Sequence, residues 1–161
     1  MTLEIIKYED PILRQKCPEF EIKKISNPQI KKIIKDMIDS MYINEGAGIA
    51  APQIGLLTRI CVVSKNHTEK QEDDLVLINP VWKRKGFRTE IADEGCLSVP
   101  KKYGAVKRYK KITVSSLDRN GKQIKFVATN FFARVIQHEI DHLNGILFID
   151  KAKNIREIYT E

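Results

Sequence analysis

The segment His138-Glu139-Ile140-Asp141-His142 places two of the chain's three histidines four residues apart. On an α-helix, positions i and i+4 share a face with Cβ atoms about 6 Å apart, so both imidazoles can close on one metal ion. Glu139 can reach a water polarised by that ion and act as general base. The flanking residues predict the helix this chemistry requires. Thr129 or Asn130 can cap its start, and Phe131, Phe132, Val135, Ile136, Ile140 and Leu143 supply an apolar stripe. Asn144-Gly145 then stops it, with glycine suited to the left-handed position after the last turn. The competing reading is a core helix whose histidines only form hydrogen bonds.

A catalytic metal site needs a third protein ligand. One common extension adds a glycine and then a third histidine; here Gly145 falls on the glycine position, but Phe148 stands where the histidine would be. A glutamate from a later helix has little chain left before Glu161. The donor is therefore expected upstream, among three cysteines. Cys17 sits in a polar stretch. Cys61, in Ile60-Cys61-Val62-Val63, reads as a small apolar core residue of a buried strand. Cys96 differs: it follows Asp93-Glu94-Gly95, precedes Leu97-Ser98-Val99-Pro100, and no apolar run surrounds its sulfur. Cys96, His138 and His142 make a three-ligand site with a fourth position left for water.

Glu94-Gly95-Cys96-Leu97-Ser98, Gln137-His138-Glu139-Ile140-Asp141-His142-Leu143 and Gly46-Ala47-Gly48-Ile49-Ala50-Ala51-Pro52-Gln53 together resemble the three signature motifs of the peptide deformylase family, in its order and spacing. The resemblance runs from Asp10-Pro11-Ile12-Leu13-Arg14 to Gly145-Ile146-Leu147-Phe148-Ile149-Asp150. It implies a hydrolase that removes the N-formyl group from the N-terminal methionine of newly synthesised polypeptides and releases formate. It also implies one divalent metal ion, ferrous iron first, with zinc, nickel or cobalt as alternatives; a thiolate with two imidazoles suits several of these. By the same resemblance, Gln53 and the Leu97 backbone N–H stabilise charge on the formyl oxygen, and the Gly48 backbone helps hold the substrate. The resemblance also implies that Ala47, Ala92, Phe131, Arg134, Val135 and His138 surround the methionine side chain, with Arg134 contributing its aliphatic stem and its charge left in water. Glu94 and Arg108 match an ion pair that braces the Cys96 loop. Two departures stand out. Asn130 replaces a frequent glycine at the start of the helix, where asparagine is expected to cap, and the tail after Asp150 is short for a long C-terminal helix.

The elements around these residues read as follows. Ile30, Ile33, Ile34, Met37, Ile38 and Met41 repeat at helical spacing within 27–44, with Asn27 as cap and Pro28 at the first position. Gly46-Ala47-Gly48 does not fit a dinucleotide loop, since no strand precedes it and Pro52 breaks the helix that must follow. Its glycines instead permit bare backbone to lie along an extended substrate. Strands are predicted at 59–64, 75–81, 87–92, 106–117 and 123–128. A polar loop at 65–74 holds the solvated His67, and Asp118-Arg119-Asn120-Gly121 signals a hairpin. The expectation is a single domain, 1–161, of α+β class, with mixed or antiparallel sheets packed around a central metal-binding helix.

Composition narrows the setting. No apolar run approaches the roughly 20 residues of a membrane span, and the first residues do not read as a secretory leader. Three cysteines without a framework fit a reducing cytoplasm. The formal charge of +7 comes from 28 basic against 21 acidic residues. It concentrates in Lys83-Arg84-Lys85, Lys101-Lys102 and Lys107-Arg108-Tyr109-Lys110-Lys111. These are either solvated strand ends or a footprint for RNA; with the resemblance, transient ribosome contact is expected and direct DNA binding is not. Two rivals remain at this stage: a metallopeptidase, which leaves Cys96 and Gln53 without a role, and an RNA-binding module with a structural metal, which would be expected to have four protein ligands.

Overall fold

The structure is a computed structural model that describes residues 3–159. Helix α1 spans Pro28–Ile43; the Asn27 side chain accepts a hydrogen bond from the Gln29 N–H at 2.9 Å and Pro28 occupies the first turn. Ile34, Met37 and Met41 are fully buried, while Ile30, Ile33 and Ile38 flank them half-buried. The chain then enters β1 (Gly48–Ala50), a short strand where the sequence suggested only a loop.

Strands β1, β2 (Ile60–Val63), β3 (Leu75–Arg84), β6 (Lys111–Leu117) and β7 (Gln123–Thr129) form one sheet in the order β1-β2-β3-β6-β7. Strands β4 (Thr89–Cys96), β5 (Val99–Tyr109) and β8 (Lys153–Glu157) form the other, in the order β4-β5-β8. Every pairing among the described residues is antiparallel. Helix α2 (Asn130–Leu143) packs on β1, β2 and β7 of the first sheet and on β5 of the second. The uninterrupted apolar run of β2 follows from burial on both faces. Cys61 and Val63 join the cluster beneath α2, and Ile60 and Val62 join the cluster beneath α1. The class is α+β, as predicted.

Local readings change in four places. The predicted strand 106–117 is two strands in different sheets, broken at Lys110, because backbone pairing transfers from β4 to β7 there. The hairpin after β6 turns through Arg119-Asn120-Gly121, closed by the Asp118 N–H to Lys122 O bond at 2.8 Å. Only Gly121 takes positive φ (81°), and the Asp118 side chain accepts from the Asn120 and Lys122 N–H groups. Residues after Asp150 form β8 against β5. His67 is half-buried rather than solvated, edge-on to Phe131 with ring centroids 5.0 Å apart.

The start of α2 is also different in kind. Neither Thr129 nor Asn130 caps it with a side-chain bond. Asn130 takes φ of 53°, and its N–H donates to Lys110 O at 2.8 Å. Asparagine serves here because it tolerates the left-handed region, which also explains why glycine would do. We expect Asn130→Gly to leave stability within about 0.5 kcal/mol of the parent, and Asn130→Val to cost about 1–2 kcal/mol, measured by urea unfolding.

Candidate active site

The four chemically important side chains come from two elements of opposite character. Strand β4 ends at Cys96, and Leu97-Ser98 form the tight turn into β5, where Cys96 pairs with Val99. Gly95 beside it has no room for a Cβ, which would lie 2.7 Å from the Tyr103 ring. Helix α2 presents His138, Glu139 and His142 to that turn. Cys96 Sγ lies 3.2 Å from His142 Nε2, and the ligand atoms of Cys96, His138 and His142 all fall within 4.8 Å of one another. The Cys-His-His set foreseen in the sequence is thus assembled by the fold.

Glu94 organises the site from behind. Its carboxylate receives the Arg108 guanidinium through Nε and Nη2, both at 2.9 Å, and Arg134 Nη1 at 2.6 Å. It also meets His138 Nδ1 at 2.9 Å. That bond fixes the imidazole and leaves Nε2 as the nitrogen that could bind a metal. Arg108 reaches on to Asp141 at 2.5 Å. The predicted Glu94–Arg108 pair is therefore part of a buried network. Arg134 departs from its expected role: its guanidinium is buried, bonded to Glu94, Val106 O and Glu90 O, rather than extended into water. The carboxylate and two carbonyls offer it more than solvent would. Its spacing on α2 gave no hint of this, because the partner lies 40 residues away.

Electrostatics follow from these contacts. Burial works to raise the Glu94 carboxyl, but bonds from His138 and Arg108, with the Arg108 charge, hold it far below the usual range. Burial likewise opposes ionisation of Cys96, yet the His142 charge and hydrogen bonds from His138 and His142 hold the thiol well below its ordinary value. A thiolate beside two imidazoles is a donor set that suits a divalent cation. Burial raises Glu139 to about 7, opposed by the two histidines and reinforced by Cys96 and Glu94. That value suits a group that must both accept and return a proton near neutrality. Glu139 Oε2 and His142 Nδ1 are the buried side-chain polar atoms without a protein partner among the described residues.

The glycine segment has a second purpose. A Cβ on Gly48 would lie 2.6 Å from Glu139 Oε1, so the bare backbone makes room for that carboxylate. Gln53 is buried; its Oε1 accepts the Ala50 N–H at 2.8 Å, and its Nε2 points to Ser98 Oγ (3.2 Å) and Cys96 Sγ (3.5 Å). These residues surround a cavity of about 590 Å³ whose wall includes Ala47, Gly48, Leu97, Phe131, Arg134 and Val135. Phe131 is half exposed at its mouth. Ala92 sits just outside, since the lining of β4 begins at Asp93. Ser98 enters the sequence reading only as part of the Cys96 motif; its contact with Gln53 was not foreseen there.

A family model for polypeptide deformylases matches residues 2–157. The chain belongs to the peptide deformylase family. It is 46% identical over 158 residues to the peptide deformylase of Halothermothrix orenii, covering 97% of each chain. It is 44% identical over 159 residues to that of Thermodesulfovibrio yellowstonii, covering 98% of this chain and 93% of the relative. Its fold matches the class I type b peptide deformylase of Acinetobacter baumannii bound to Met-Ala-Ser at a TM-score of 0.87 and 29% identity, covering 94% and 98% of the two chains. As a peptide deformylase-family member, it is a hydrolase that removes the N-formyl group from the N-terminal methionine of newly made chains, and the family is metal-dependent.

The Glu94 network makes a pH-dependent contribution to stability. Glu94 is held below its unfolded value of about 4.3, so its stabilisation is complete above that value and is lost as pH falls below it. Arg108→Met leaves Glu94 and Asp141 short of a cation and should cost about 3–5 kcal/mol at neutral pH. In urea unfolding, the gap between parent and variant should narrow below about pH 4 as Glu94 protonates.

Proposed function

We propose that Cys96, His138 and His142 hold one divalent cation, ferrous iron, and that Glu139, Gln53 and Leu97 carry out deformylation of N-formylmethionyl peptides around it. The observation that carries this reading is the meeting of Cys96 Sγ with His142 Nε2 at 3.2 Å beside the buried Glu139. A bound cation supplies Lewis acidity toward the formyl oxygen and toward water. Glu139 takes the proton of the attacking water on its carboxylate and later gives it to the departing amine nitrogen. As negative charge grows on the formyl oxygen, Gln53 Nε2 and the Leu97 N–H donate to it; one such donor is typically worth about 3–4 kcal/mol. The Gln53 amide is already oriented, because its oxygen is held by the Ala50 N–H.

Substrate enters the cavity of about 590 Å³. Strand β1 is an edge of its sheet, so Gly48 can pair with an extended peptide backbone. Ala47, Phe131, Val135 and His138 form the wall for the methionine side chain. Arg134 lines that wall too, with its guanidinium turned away to Glu94, Val106 O and Glu90 O. That the A. baumannii relative binds Met-Ala-Ser supports a short methionyl peptide as ligand. The whole chain, 1–161, acts as one catalytic domain in the cytoplasm, in transient contact with the ribosome where its substrates emerge. No helix among the described residues is long and apolar enough to cross a membrane.

Incubation with a formyl-Met peptide should release formate without cleavage of internal peptide bonds; internal cleavage would favour a metallopeptidase instead. Glu139→Gln should keep its metal and lose at least about 100-fold in kcat. Unchanged formate release by that variant would remove Glu139 as the base. Metal analysis after anaerobic purification should find iron in amounts that track activity, and a chelator should abolish both together.

A further inference from the structure

The positive charge of this chain is segregated. Residues 75–129 hold 13 of its lysines and arginines but only four acids: Glu90, Asp93, Glu94 and Asp118. Three of those acids are engaged elsewhere. Asp93 pairs with Arg156, Glu94 lies in the buried network, and Asp118 closes the hairpin after β6. Outside this segment, cations and acids pair along the surface, as in Lys32–Asp36 and Lys35–Asp39.

The fold joins two of the basic clusters and separates the third. The Lys85 N–H donates to Lys111 O and the Lys110 N–H to Arg88 O, both at 2.9 Å, so the end of β3, the start of β4 and the β5–β6 junction meet at one corner. Lys83, Lys85, Arg88 and Lys111 are exposed there, and none forms an ion pair among the described residues. Arg108 is withdrawn into the core, and Lys102 is occupied by Tyr8 and Glu157. At the apex, Phe87 is 79% exposed, and Arg84 lies over its ring with Cζ 4.3 Å from the centroid. Exposed cations that outnumber the one remaining acid, Glu90, beside an outward aromatic ring, are the ingredients of a single-strand nucleic-acid platform: phosphates meet the charges and a base stacks on the ring.

We propose that this corner docks a single strand of RNA, with phosphates on Lys83, Lys85 and Lys111 and a base on Phe87. Phosphate alone would equally suit an acidic lipid surface; the Arg84-backed ring favours a base. The choice of RNA also rests on the reading that the enzyme works beside the RNA-built ribosome. The Asn130 N–H bond to Lys110 O fixes the corner to the start of α2, one residue from Phe131 at the cavity mouth. A strand held there would bring its bearer alongside the active site without occupying it.

The test uses the metal-loaded enzyme and a short fluorescein-labelled single-stranded RNA, read by anisotropy across a salt series. The variant Lys83→Glu/Lys85→Glu/Lys111→Glu should bind about 100-fold more weakly, and its slope of log affinity against log salt should shrink by about 2, given roughly 0.7 per phosphate contact on a single strand. Phe87→Ala should lose about 10-fold with the slope unchanged, within the range for one stacked base. Formate release from a short formyl-Met peptide should be the same in all three proteins, so failure of the RNA site and failure of the deformylase reading appear in different assays. Equal RNA binding by the parent and the triple variant would overturn the proposal. Binding of the parent to anionic phospholipid vesicles but not to RNA would also overturn it.

Discussion

One buried carboxylate ties the molecule together. Glu94 ends the central part of β4, and three groups from other elements converge on it: Arg108 from β5 and Arg134 and His138 from α2; Arg108 extends the network to Asp141. A charge removed from water is stable only when it is fully paired. The strand that carries Cys96 and the helix that carries the two histidines are therefore locked in one relative position. Cys96, His138 and His142 meet because their supports cannot slide, and every other property of the site inherits that register.

Within this frame, Glu139 is set by exclusion as much as by contact. Its side chain is buried against the Gly48 backbone, where no Cβ can stand, and desolvation lifts its proton affinity into the neutral range. A carboxylate in water would hold no proton there. Gln53 lies beside Cys96. Its oxygen is tied to the Ala50 N–H, which leaves Nε2 facing the cysteine and the cavity. The glycine segment thus makes room for Glu139, forms the sheet edge and holds the Gln53 amide at once, which is why a run of small residues leads into Pro52-Gln53.

The legible parts of the sequence are those written in local spacing. The i, i+4 histidines, the apolar stripe of α1, the Asn27 cap and the Gly145 stop each depend on residues within a turn or two, and each appears as expected. Readings failed where a distant partner overrode local preference. Arg134 looked like a snorkelling side chain until Glu94, 40 residues away, claimed it. Asn130 looked like a cap because the sequence does not reveal its φ. The run 106–117 looked like one strand because β-propensity says nothing about which sheet a residue joins.

The sequence alone determined the chemistry available: a thiol, two imidazoles on one helical face, a carboxyl group between them and an amide upstream, enough to name a metal-dependent hydrolase. Residue types and short-range periodicity carry that information, since bond geometry fixes what neighbours on a helix can reach. Only the tertiary structure decided how those groups behave. It brought Cys96 across 46 residues to His142, turned Arg134 inward and withdrew Arg108 from its basic run. It also merged two separate clusters of lysines into one exposed corner. Burial and long-range pairing set charge states and partners, and neither exists until the chain has folded.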